Sequence, residues 1–142
     1  YYACNTVVGG GVAVMIDFSG FRAEDGSPIY AQLVRYVKRG VVSGAISDGD
    51  ELPSRRVVSA LLGVNPNTVQ KAYRALEDEG LIESRAGAKS HVSLTPEKRE
   101  NVRQYLLSRE ALAAVRALKG AGLERERALE LISQLWDEEA EE

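Results

Sequence analysis

The sequence predicts a mainly α-helical fold with a small β-hairpin, and three observations predict it. Between Ser27 and Gly80 apolar residues recur at helical spacing in three successive short segments, each opened by a capping residue and closed by a glycine. Two short runs rich in Leu, Ile and Val then flank the glycine-bearing "AGAKS", the pattern of a hairpin. The remaining third of the chain carries two more apolar stripes at helical period, separated by Gly120 and Gly122.

Composition bounds what such a fold can do. With 142 residues, 44% hydrophobic and 27% charged, the chain can bury one modest core and an accessory element. Cys4 and His91 are the sole residues of their types. They leave no internal disulfide and no zinc-type spacing, so neither a metal nor another cofactor is expected. Nor is an enzyme: there is no nucleophile–base constellation and no GxxxxGK phosphate loop. No stretch reaches the roughly 18 apolar residues of a membrane helix, and "NTVVGGGVAVMI" lacks the basic start of a secretory signal. A cytoplasmic protein without membrane contact is expected. The net charge of −3 divides unevenly: residues 29–96 carry nine Lys/Arg against seven Asp/Glu, and residues 97–142 carry eight against eleven. A basic middle between acidic ends permits phosphate binding there without establishing it.

Residues 1–14, rich in Gly, Val and Ala without helical period, read either as a leader or as a native arm, and are left outside the predicted fold. The first helix follows Ser27 as cap and Pro28 at its first position. It carries Ile29, Leu33, Val34, Val37 and Val41 as its stripe and ends at Ser43-Gly44. "SDGDELP" reads as a turn. Ser54 then caps a short second helix, with Val57, Val58, Leu61 and Leu62 expected inward and Gly63 as its stop. Asn65 caps the third helix, Pro66 takes its first position, and Val69, Ala72, Tyr73 and Leu76 form its buried stripe.

That stripe turns Asn67, Lys71 and Arg74 outward, with Thr68 and Gln70 flanking them. Helix, tight turn and helix with polar groups at the start of the second is the helix-turn-helix arrangement, whose second helix enters the major groove N-terminus first. The alternative is an ordinary helical corner with a solvated face. "LIESR" and "HVSLT" supply two strands joined through Gly87. With them the reading becomes a winged helix-turn-helix over residues 15–96, whose Lys89 can reach a neighbouring backbone or minor groove.

The run from Pro28 through "LPSRR" and "LLGVNPNTVQKAYRALEDEGLIESRAG" resembles the DNA-binding domain of GntR-type bacterial transcription regulators, across residues 28–94. The short tail after it resembles the YtrA subfamily, which dimerises through two helices. The resemblance implies that Ser54 and Arg56 contact DNA and that Asn65, Asn67, Thr68 and Gln70 approach bases or phosphates. It makes Lys71 a flanking backbone contact and leaves Tyr73 either a second such contact or core. A guanidinium at Arg56 suits bidentate contact with phosphate or guanine, whereas Arg55 points elsewhere on the helix. The family's wing reads Arg-x-Gly-x-Gly-Thr-Phe-Val; here it is "RAGAKSHV", keeping Gly87 but placing Lys89 and His91 at the second glycine and the phenylalanine. The lysine retains backbone attraction, and His91 is expected to pack at the wing base.

Thr95 caps a fourth helix beginning at Pro96, with Leu107, Ala111, Val115 and Leu118 in register, and a fifth aligns Ala128, Leu131, Ile132, Leu135 and Trp136. Residues 97–142 thus form a C-terminal αα-hairpin with little core of its own, whose expected partner is a second copy. The full reading is a transcription regulator that binds double-stranded DNA as a homodimer and represses from a near-palindromic operator, any small-molecule effector lodging in the dimer cleft. The reading from another class is a winged helix that binds a protein partner with the same face.

Overall fold

The computed structural model describes residues 14–84 and 89–140. It contains α1 (Ile29–Ser43), α2 (Arg55–Leu62), α3 (Pro66–Asp78), β1 (Ile82–Glu83), β2 (His91–Val92), α4 (Pro96–Gly120) and α5 (Arg125–Ala140). This is the expected mainly helical chain with one antiparallel hairpin, Ile82 opposite Val92 and Glu83 opposite His91. Among the described residues no helix is long and apolar enough to cross a membrane.

The chain divides into two compact units, the first ending at Gln104 and the second beginning at Tyr105. The core of the first is built from the stripes that the helical period picks out: Leu33, Val37 and Val41 of α1, Val58 of α2, and Val69, Ala72, Tyr73 and Leu76 of α3, all buried. Leu81, Ile82, Val92 and Leu94 close it from the hairpin side. Phe18 and Phe21 add an aromatic layer, stacking on and meeting edge-on the ring of Tyr36 at 5.5 and 5.7 Å.

Three expectations are corrected. Ser27 does not cap α1: Pro28 holds the cap position without a side-chain bond. The Ser27 hydroxyl instead accepts from Arg35 Nη2 at 2.8 Å, because a guanidinium one helical turn and more away competes for it. Val57 and Leu61 do not face inward; they are 55% and 54% exposed, and only Val58 of α2 is buried. The helix presents two adjacent apolar rows, 57/61 and 58/62, and is rotated so that the second row meets the core.

Finally, "SDGDELP" is more than a turn. Leu52 N–H donates to Ser90 and Val92 N–H to Asp50, while Glu51 exchanges bonds with Val14 and Ile16 on its other side. Glu51 therefore bridges His91 antiparallel and Met15 parallel, extending the hairpin ladder by two single-residue rungs. Val14, counted outside the fold from the sequence, belongs to this ladder. The buried Asp50 carboxylate fixes it, accepting from Ser47 N–H at 2.8 Å and from Val14 N–H at 3.4 Å.

In the second unit α5 has no buried residue. Leu107, Leu112 and Val115 of α4 and Leu129, Ile132, Leu135 and Trp136 of α5 are exposed, Trp136 to 74%.

Candidate nucleic-acid interface

Two helix starts lie close together in the chain and are built alike. Ser54 Oγ accepts from Val57 N–H at 3.3 Å, and Asn65 Oδ1 accepts from Asn67 N–H at 2.8 Å, each satisfying a donor that the first turn leaves orphaned. Pro66 at the first position of α3 has no N–H to leave unpaired. Neither α2 nor α3 carries an acidic residue in its first turn, so the positive end of each helix dipole stays uncompensated.

Between them the chain turns within three residues. Gly63 adopts φ +66°, a left-handed conformation that costs any side chain, with open space around its Cα. Val64 N–H returns to the Ser59 carbonyl and the Ser59 hydroxyl donates to the Val64 carbonyl at 2.5 Å, which locks the angle at which α3 departs.

The α3 side chains divide as the period requires. Asn67, Gln70, Lys71 and Arg74 are exposed, and Thr68 is half-buried. Arg56 at the start of α2 is exposed beside the capping Ser54. Lys71 does not float free: its Nζ sits 4.1 Å over the ring of Tyr30 on α1, a cation–π contact that restrains the ammonium without neutralising it. Sequence reasoning did not single out Tyr30 for this, since nothing in helical period reports a contact between helices so far apart in the chain.

Tyr73, left open between core and contact, is core. It is 3% exposed and its hydroxyl donates to the Pro53 carbonyl at 2.6 Å, tying α3 to the residue just before the α2 cap. Burial holds its phenol well above the ordinary tyrosine range. Arg55, set aside from the sequence, has its guanidinium 5.8 Å over that ring.

The hairpin is fastened to α3 as well. The Ser84 hydroxyl bonds the Glu77 carboxylate and lies 2.9 Å from the Ser90 hydroxyl across the hairpin. His91 is half-buried in β2, its Nε2 3.5 Å from Glu83 Oε2, at the wing base as expected. Lys89 is exposed; Gly87, the other wing residue named from the sequence, lies outside the described residues.

Comparison with known proteins agrees with this geometry. Residues 29–92 match the family model "Bacterial regulatory proteins, gntR family". The HTH-type transcriptional repressor YtrA of Bacillus subtilis is 42% identical over 67 residues, 47% of this chain and 52% of that protein, so the match spans about half of that relative's length. A GntR family transcriptional regulator from Listeria monocytogenes superposes with a TM-score of 0.68 at 26% identity, covering 79% of this chain and 98% of the other. YtrA from Sulfolobus acidocaldarius, a GntR-family transcription factor, is 33% identical with a TM-score of 0.51, over 68% of this chain and 99% of that one. A winged helix-turn-helix with a short helical tail, similar in sequence and fold to these regulators, belongs to the GntR family of bacterial transcription regulators and is similar to its YtrA members.

Proposed function

We propose that this chain binds a near-palindromic operator as a homodimer and represses transcription by occupying it. One observation carries the reading: two capped helix starts with no acidic residue in the first turn, and Arg56, Asn67, Gln70, Lys71 and Arg74 as exposed donors on those helices. Donors of this kind serve both halves of recognition. Arg, Asn and Gln read base edges bidentately, while lysines and helix N-termini hold phosphates. Ser54 and Asn65 contribute in two ways, because an oxygen spent on capping leaves the Ser54 hydroxyl proton and the Asn65 amide free to donate to a phosphate. Thr68 and Lys89 join the same set in this reading, and Gly87 is assigned to it from the wing sequence alone. Repression is supported by the Bacillus relative YtrA, which is named a transcriptional repressor.

Two-fold symmetry gives the operator its form: two recognition helices in successive major grooves require half-sites about 34 Å apart. An effector, if one acts, shifts the population between dimers whose spacing matches that repeat and dimers whose spacing does not. The exposed Val57 and Leu61 favour the second reading, a protein-binding face on α2.

Salt separates the two. Genomic fragments retained by the protein supply the operator, and affinity for it is then measured over a range of potassium chloride concentrations. Several phosphate contacts make log K fall linearly and steeply with log salt, and a random duplex binds more weakly with a similar slope. Equal affinity for operator and random duplex would remove specific recognition from the proposal.

A further inference from the structure

The strongest unassigned feature is a pocket on the far side of α1 from the recognition helix. Its volume is about 260 Å³, and its walls are residues 20–24 on one side and one face of α1 on the other. Three arginines line it, Arg22 from the strap of residues 14–28 that precedes α1 and Arg35 and Arg39 from successive turns of α1, together with the carboxylate of Glu24. That is an unusual concentration of positive charge in a chain of net charge −3.

The pocket is built rather than accidental. Gln32, 7% exposed, forms its floor by clasping the strap: its Oε1 accepts from Glu24 N–H and its Nε2 donates to the Glu24 carbonyl, both at 2.7 Å, and to the Ser27 carbonyl at 2.8 Å. Arg35 is braced by the Ser27 hydroxyl. Arg22 is braced by the carbonyls of Ser19 and Phe21 at 3.0 and 2.9 Å. The rings of Phe21 and Tyr36, 5.7 Å apart and edge to face, add a rigid apolar wall. Guanidinium groups held in this way lose little side-chain freedom when an anion arrives.

Helical geometry places the pocket away from DNA. At 100° per residue, positions 32, 35, 36 and 39 centre about 150° around the helix from positions 30, 34 and 38. Tyr30 and Lys38 face α3, through Lys71 and through an ion pair to Glu79 at 2.9 Å. A duplex on α3 therefore does not explain the three arginines.

We propose that this pocket binds a small phosphate-bearing metabolite. Its volume, about 260 Å³, lies just below the roughly 300–1,000 Å³ of drug-sized sites and suits a phosphoryl group with a short organic remainder. A tetrahedral anion offers oxygens to guanidinium groups from both walls at once. The ligand would also act at a distance. The strap it clamps to α1 runs back through the Tyr36 hydroxyl bond to the Asp17 carbonyl and the Ile16 rung on Glu51, and Glu51 is paired with His91 of the wing. Occupancy would stiffen the segment on which the wing strand rests.

The proposal goes beyond DNA binding, and its main test uses no DNA. The full chain, labelled with nitrogen-15, is titrated with inorganic phosphate and with pyrophosphate at ionic strength held constant by chloride. Amide shifts concentrated in residues 20–24 and 32–39 are expected, with tighter binding of pyrophosphate. Arg39→Gln, at an exposed position, and the double variant Arg35→Gln/Arg39→Gln, each checked for an unchanged amide spectrum outside the pocket, should weaken binding by about tenfold or more. Arg103→Gln, on exposed α4 surface, should not. Shifts scattered over every cationic surface, or undiminished binding by both variants, would overturn the site. So would a loss of random-duplex affinity in the double variant as large as that in Lys89→Ala, since the face would then be a DNA contact.

Discussion

Arg56 and Lys89 differ in what their chemistry can distinguish. A guanidinium at a helix start can bond two acceptors on one guanine, whereas an ammonium on a wing attracts any phosphate. Arg56→Ala should therefore cost on the order of 1–3 kcal/mol of operator binding and little for random duplex. Lys89→Ala should weaken both alike and reduce the salt slope by about one. Titration against the two duplexes checks both, and an unchanged operator affinity in Arg56→Ala would remove that contact. Tyr73 acts through the fold instead. Its hydroxyl bond to the Pro53 carbonyl sets where α2 begins relative to α3, so Tyr73→Phe should cost about 1 kcal/mol of stability by thermal melting. The phenol also couples folding to alkaline pH. Burial raises its pKa in the folded state above the ordinary value of about 10, so above that pH the unfolded chain releases a proton the folded chain keeps. Its contribution is complete below pH 10 and is lost as pH rises beyond it. Tyr36 is shifted in the same direction by burial. Tyr73→Phe should accordingly show a shallower loss of stability above pH 10 than the parent.

Helix ends were legible in the sequence because capping is a local act. Ser54, Asn65 and Thr95 each accept from an N–H two or three residues on, and all three helices begin where those residues predict. Ser27 was misread because its hydroxyl is engaged by Arg35, a partner that depends on how the strap lies over α1. The ladder at Glu51 was illegible for the same reason in stronger form: its partners, Met15 and His91, are distant in sequence, and a single-residue rung has no alternation to detect. The rotation of α2 was not encoded in period either, since two adjacent apolar rows satisfy it equally. For the exposed side chains of α3 the period sufficed, because one stripe of four buried residues fixes which way the others point. The ladder yields a test of its own. Asp50→Ala orphans the Ser47 N–H and loosens that of Val14, which should cost about 1–3 kcal/mol. Hydrogen exchange should show the amides of Ile16 and Glu51 losing protection while those of α3 still open only with global unfolding. Equal acceleration of the α3 amides would mean that the ladder is not a separable element.

Over the whole chain the boundary between DNA-binding unit and tail decides how assembly can be tested. The sequence places it after residue 96, where Thr95 caps α4. The compact units divide later, at Gln104 and Tyr105, inside α4. The early turns of α4 belong to the first unit: Lys98 Nζ donates to the Gly80 carbonyl at 2.7 Å, and Val102 is 6% exposed. A chain cut after Thr95 loses both anchors, and Val102 alone represents about 1.5–3 kcal/mol of burial, so this fragment should be markedly destabilised. A chain cut after Glu110 keeps them and should melt as one cooperative unit. That second fragment is the proper test of dimerisation. Among the described residues the exposed Leu, Ile, Val and Trp side chains of α4 and α5 lie largely beyond Glu110, and each, most being about half exposed, would gain on the order of 1 kcal/mol if fully covered. A second copy offers the same stripe in return, as a two-fold interface requires. Sedimentation should therefore find the full chain dimeric at micromolar concentration and the fragment ending at Glu110 monomeric. Operator affinity should fall far more than half-site affinity, because two linked half-sites gain through effective concentration. Trp136→Ala, removing the most exposed of these side chains, should shift the full chain toward monomer without changing its helical content. A full chain that sediments as a monomer under those conditions would sink the homodimer and with it the palindromic operator.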